Sequence, residues 1–196
     1  MPFIDTPDAS VSEQTAKLYA DAEASYGYVP NMVKAFGHRP DVMENWSALL
    51  SSIKAGMDLR RYELVTMAAA KEMKSSYCLL AHGSVLLRDI FTPDTLRQMV
   101  DDPGTAVIDE TERTIMRFAA KVVNEASSIE AADIDELRQH GLSDAEIFDI
   151  VTAAAVRCFF SKTLDALGVQ ADSAYENLDS DLKTALVIGR PIDGTA

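Results

Sequence analysis

The 196-residue chain is poor in the residues from which many sites are built: two cysteines, three histidines and one tryptophan. Two thiols, Cys78 and Cys158, are too few for a secreted disulfide scaffold and are not spaced as zinc ligands. Three scattered histidines, none four residues from another, make a poor metal site, so no residue cluster calls for a metal or an organic cofactor. Positive charge is also scarce: 18 Lys and Arg face 31 Asp and Glu, giving a formal charge of −13 with no basic run to offset it locally. Such a chain repels phosphate backbones and anionic lipid, which argues against nucleic-acid and membrane partners. No segment reaches the roughly 18 apolar residues of a membrane span. The start, Met1-Pro2-Phe3-Ile4-Asp5-Thr6-Pro7-Asp8, has neither a basic region nor an apolar stretch of signal-peptide length. The expected location is the cytoplasm, with both thiols reduced.

What the chain has is apolar substance, 47% of its residues, enough for one substantial core or two small fused ones. No apolar stretch alternates with period two, and nearly every one follows a capping signal. Ser10-x-x-Glu13, Asp109-x-x-Glu112 and Ser143-x-x-Glu146 have capping-box spacing, and Pro30, Pro40 and Pro93 suit first helical turns. The reading is an all-α helical bundle over 1–196 as one domain. Helices are expected near 10–25, 30–37, 40–55, 58–73, 76–90, 93–101, 109–125, 130–139, 143–167 and 171–187. Two Ala-rich segments, Leu64–Ala70 and Ile150–Val156, are apolar on most sides and belong in the centre of a bundle. An offset of 86 lays Glu63–Ala70 on Asp149–Val156, which hints at two duplicated halves around 58–90 and 143–167. The second copy has Leu164 and Gly168 in place of Cys78 and His82, so at most one half carries chemistry. From Gly189 onward periodicity is lost, and that tail is expected to wrap a neighbour or fray.

The chemistry concentrates in Met73–Gly83, where one helical run stops and another starts, with Ser75 or Ser76 as the expected N-cap. Cys78 then falls in the first turn, where free amides and the positive helix end favour a thiolate. His82, four residues on, shares its face and can exchange a proton with it directly or through one water. Glu63 opens the preceding apolar helix, where a carboxylate is costly to bury unless it is hydrogen-bonded or moves protons. The competing reading pairs Glu63 with Arg60 or Arg61 on a solvated face.

The spacing Glu63, eleven residues, Ser75-x-x-Cys78, three residues, His82 resembles the signature of the carboxymuconolactone decarboxylase and AhpD-like superfamily, a glutamate, then Cys-x-x-Cys, then histidine. Leu59-Arg60-Arg61-Tyr62-Glu63, Tyr77-Cys78, Ala81-His82, Tyr28-Val29-Pro30-Asn31 and Asp144-Ala145-Glu146-Ile147 extend the resemblance over about 12–185. It implies an AhpD-like fold with Cys78 attacking peroxide or disulfide while Glu63 and His82 relay protons. The first cysteine of the pair is replaced by Ser75, a cap or hydrogen-bond donor that cannot close a disulfide. What remains is a one-cysteine, peroxidase-related oxidoreductase acting on hydroperoxides and resolved by an external thiol. A second reading is an acid/base lyase on a small carbonyl or lactone substrate through His82 and Glu63, as in the decarboxylating relatives. A third is a non-enzymatic module sensing redox state or a ligand.

The remaining distinctive residues have plainer expectations. Cys158 should be buried and inert, and His38 and His140 sit at apparent helix ends. Met32, Met43 and Trp46 pack the core or a subunit interface and can line an apolar pocket. The stripe Val42, Met43, Trp46, Leu49, Leu50 and Ile53 is wider than one neighbour needs, so a homo-oligomer is expected, as the resemblance also implies.

Overall fold

Six of the helices begin where Ser12, Asp58, Thr92, Asp109, Ser143 or Asp179 holds a first free amide. The computed structural model describes residues 2–102, 104 and 108–195. Among them are ten α-helices: α1 (Glu13–Tyr26), α2 (Asn31–Phe36), α3 (Pro40–Lys54), α4 (Leu59–Glu72), α5 (Ser76–Asp89), α6 (Pro93–Asp101), α7 (Glu110–Glu125), α8 (Ala131–Gln139), α9 (Asp144–Ala166) and α10 (Ser180–Leu186). The fold is all-α, as expected from the sequence. Asp109 with Glu112, and Ser143 with Glu146, form reciprocal capping boxes at α7 and α9. The third expected box does not form. Ser12 caps α1 by accepting from the Thr15 amide at 3.0 Å, while Asp8 takes the Ser10 amide at 2.8 Å and closes a 3₁₀ turn at Ala9–Val11. Pro40 and Pro93 occupy first turns, but Pro30 is the residue before α2. The single helix expected over 171–187 is interrupted. Asp179 accepts from the Asp181 and Leu182 amides and starts α10 afresh after a 3₁₀ turn at Ser173–Asn177.

Nine consecutive residues of α4, Tyr62–Ala70, are buried, because α5, α7 and α9 pack around it. Small Ala68, Ala69 and Ala70 let these neighbours approach closely. Leu64, Leu79, Leu80 and Leu86 are almost wholly inaccessible, each burial stabilising by roughly 1.5–3 kcal/mol. The other Ala-rich helix, α9, packs on α4, α7 and α3 but is not enclosed: Phe148 and Phe159 remain 66% and 46% exposed. Its 23 residues run unbroken to Ala166, and the chain then turns, so α5 has no helical counterpart after it. No helix among the described residues is long and apolar enough to cross a membrane.

The irregular tail is tied to its own chain. Ile192 is buried and pairs with Ala171 in a parallel bridge, and Asp193 donates to the Ala171 carbonyl at 2.8 Å. Gly189 donates its amide to Ser76 Oγ at 2.8 Å, at the very start of α5. A Cβ at Gly189 would lie 1.9 Å from the Lys74 carbonyl oxygen, so only glycine fits there. Lys74 itself takes the left-handed conformation, φ 54°, at the elbow between α4 and α5.

Candidate functional site

The elbow after α4 turns the chain so that the first residues of α5 are sealed against the tail and one face of the helix opens into a cavity of about 650 Å³. Cys78 and His82, one turn apart on α5, both line it. Trp46, Met32 and Met43 supply apolar wall, as expected from the sequence, with Trp46 stacked on Phe160 at 4.3 Å between centroids. Tyr77 anchors the helix start, donating to Asp172 Oδ2 at 2.5 Å and accepting the Met32 amide at 3.3 Å. Burial and the adjacent Asp172 carboxylate push the Tyr77 phenol far above its ordinary range, so it stays protonated.

Cys78 is 1% exposed, and its Sγ lies 3.0 Å from Ser161 Oγ of α9. The hydroxyl can donate to a thiolate or accept from a thiol. Glu63 does not pair with Arg60 or Arg61, which are engaged by Glu112 and Glu146. It is buried behind His82, its Oε2 2.6 Å from Nδ1. His82 has 17% of its side-chain surface exposed, all that separates it from full burial. Burial lowers the imidazole's proton affinity, Arg157 lowers it further, and Glu63 opposes both. A neutral ring that donates Nδ1–H to Glu63 leaves Nε2 bare as a proton acceptor.

Ser75 sits apart from this group. It occupies the N-cap position of α5, but its side chain makes no cap bond and does not line the cavity. Its ψ of 92° differs from the 154–161° of Ser12, Asp58, Thr92 and Ser143, which do cap, and this turns Oγ away from the helix amides. The hydroxyl is fully buried without a hydrogen bond of ordinary length. Its effect is felt at Asp165, whose carboxyl burial raises and Ser75 draws back down. Cys158 is half-buried rather than sealed, because α9 presents that side towards the surface; desolvation raises its thiol and disfavours the thiolate. His38 bonds the Asp5 carbonyl, and His140 closes α8 beside Thr111 and Thr114.

No protein-family model and no curated protein matches the sequence. Solved structures do match. An uncharacterized peroxidase-related protein from Ralstonia eutropha, described as an alkylhydroperoxidase AhpD core, superposes with a TM-score of 0.79 at 22% identity. The alignment covers 89% of this chain and 94% of that one. The chain has the AhpD-like fold. A peroxidase-related protein from a Silicibacter species agrees equally well, TM-score 0.79 at 24% identity over 90% and 94% of the two chains. The debrominase Bmp8, solved as a cysteine-to-alanine variant in complex with 2,3,4-tribromopyrrole, shares the fold at TM-score 0.72 and 17% identity, over 92% and 95%.

Within this AhpD-like fold, α9 contributes two groups that sequence reasoning missed, the buried Ser161 against Cys78 and the cavity-lining Arg157 near His82. Arg157 carried a readable signal: a charge inside an otherwise apolar run, where burial is expensive. Ser161 carried none, since a hydroxyl at that point reads as filler.

Proposed function

We propose that the chain is a thiol-dependent, peroxidase-related oxidoreductase acting on organic hydroperoxides, with Cys78 as nucleophile. The observation that carries this reading is that Cys78 and the Glu63-backed His82 line one and the same cavity. In the proposed cycle His82 Nε2 takes the Cys78 proton, and Ser161 donates to the resulting thiolate. The sulfur attacks the terminal peroxide oxygen, the O–O bond breaks, and His82 returns the proton to the departing alkoxide. Cys78 becomes a sulfenic acid and the hydroperoxide becomes an alcohol. One external thiol condenses with the sulfenic acid and releases water. A second thiol reduces the mixed disulfide and restores Cys78. Ser75 takes no chemical part in this cycle. The proposed setting is a cytoplasmic homo-oligomer with the groove between α3 and α9 at the contact, where Leu49 and Phe159 are exposed.

The experiment is sulfenic-acid trapping after addition of cumene hydroperoxide, followed by mass spectrometry. Label should appear on Cys78 and not on Cys158, and Cys78→Ser should lower peroxide consumption at least about a thousandfold. Absence of Cys78 sulfenic acid ends this reading. The Glu63–His82 pair also favours a second one, acid/base chemistry on a small carbonyl or lactone. Under it, folded Cys78→Ser keeps its activity while His82→Gln loses it.

A further inference from the structure

Arg157 is a guanidinium that forms no ion pair among the described residues. It is 2% exposed, lines the cavity, and makes one hydrogen bond among the described residues, from Nη2 to the Tyr62 hydroxyl at 2.7 Å. Its Nε–H is buried without any acceptor. The buried Glu63 carboxylate is taken by His82, and Asp172 of the cavity wall is taken by Tyr77 and the Asn31 amide. The Tyr62 hydroxyl accepts from Arg157, and no acceptor among the described residues receives its own proton. Two donors therefore stand at the cavity wall with no acceptor among the described residues. Leaving a buried charge so poorly compensated is unfavourable unless an anion occupies the site.

The charge around the cavity points the same way. The chain carries −13 overall, yet Lys54 and Arg88 stand exposed at the cavity's edge and Arg157 inside it. Rim cations steer anions inward, and a guanidinium fork matches the plane of a carboxylate. Beside Arg157 the stacked Trp46 and Phe160 rings offer a flat apolar wall, with the guanidinium carbon 5.9 and 5.7 Å from their ring centres.

We propose that Arg157 and Tyr62 form a binding subsite for an organic carboxylate, holding its charged end while Trp46 and Phe160 cover its apolar body. This deepens the proposed function, on which it rests for what the cavity does: the hydroperoxide would be one that also bears a carboxylate. Arg157 acts here as a positioning residue that selects the substrate and sets its approach to Cys78.

The test uses the full chain and needs no turnover. Trp46 is the one tryptophan and lines this cavity, so its fluorescence responds to occupancy, and the Arg157 and Tyr62 variants assign the response to this site. Titration with benzoate and with its neutral isostere benzamide should show benzoate binding at least about tenfold more tightly. Arg157→Met should bring the ratio close to one, Arg157→Lys should keep part of it, and Tyr62→Phe should reduce it. Equal or undetectable binding of the two ligands by the unmodified chain overturns the proposal. So does a benzoate preference that survives Arg157→Met. Should Arg157→Met fail to fold, the unmodified chain and Tyr62→Phe still decide. Sulfenic-acid formation at Cys78 is scored separately, so loss of the carboxylate preference and loss of the peroxidase reading are distinct results.

Discussion

Two helices meet at the cavity, each with a pair of residues four apart: Cys78 and His82 of α5, which both line it, and Arg157 and Ser161 of α9, of which Arg157 lines it and Ser161 is buried behind Cys78. The α5 pair holds the groups that can take part in bond making. The α9 pair touches or biases them: Ser161 bonds the Cys78 sulfur, and Arg157 depresses His82. The difference lies in local support. The α5 pair sits at a helix start fixed by an elbow, a buried Tyr77 anchor and the tail, whereas the α9 pair lies mid-helix, held by packing and by one hydrogen bond each, to Tyr62 and to Cys78. In the proposed mechanism the reactive groups stand on the better-supported backbone, and the groups that tune them stand on a plain helical face.

The sharpest way to break this contrast is His82→Gln, which keeps a hydrogen bond to Glu63 and removes the titrating ring. Peroxide turnover should fall by about 10²–10⁴ in steady-state assays, and a loss under tenfold would move proton transfer elsewhere. Gly189→Ala strikes the support of the α5 wall. The new methyl meets the Lys74 carbonyl, and urea unfolding should show a loss of about 1–3 kcal/mol. Unchanged stability would mean that the tail does not pin α5.

Ser161→Ala tests the α9 wall. It removes one hydrogen bond to a thiolate, so Cys78 alkylation at neutral pH should slow by about tenfold with little change in stability. An unaltered rate would make the 3.0 Å contact mere packing. The smallest effect concerns pH. His82 binds its proton less readily folded than unfolded, so the unfolded chain holds more protons below about pH 6.5, and stability declines as pH falls through that region. Arg157→Met removes the second cause of that depression and should make the decline shallower in thermal melts at pH 7 and pH 5. Identical slopes would uncouple the two walls.

Much of the fold could be read because its boundaries are written locally. Capping boxes at Asp109 and Ser143 and first-turn prolines at 40 and 93 stand within a turn of the helices they start. The misplacements arise where two capping groups compete, as at Ser10 and Ser12, or where Asp179 restarts a helix that periodicity alone would run on. The same distinction applies to the site. Glu63, Cys78 and His82 lie within twenty residues of one another, and helical spacing brings Cys78 and His82 to one face. Ser161 reaches Cys78 across 83 residues and Arg157 reaches Tyr62 across 95, distances that only the packing of α9 on its neighbours resolves. Ser75 was legible in position but not in conformation, since no sequence feature announces a ψ that aims its hydroxyl away from the helix.

The bond between the Gly189 amide and Ser76 Oγ joins residues 113 positions apart. At roughly 5–20 residues per second of synthesis, the ribosome needs on the order of ten seconds to make Gly189 after Ser76 has been added. For that interval the nascent chain already carries Cys78 but lacks the strap that seats its helix. The thiol is thus born before its shelter, and oxidant present during translation meets a less guarded sulfur than the finished protein exposes.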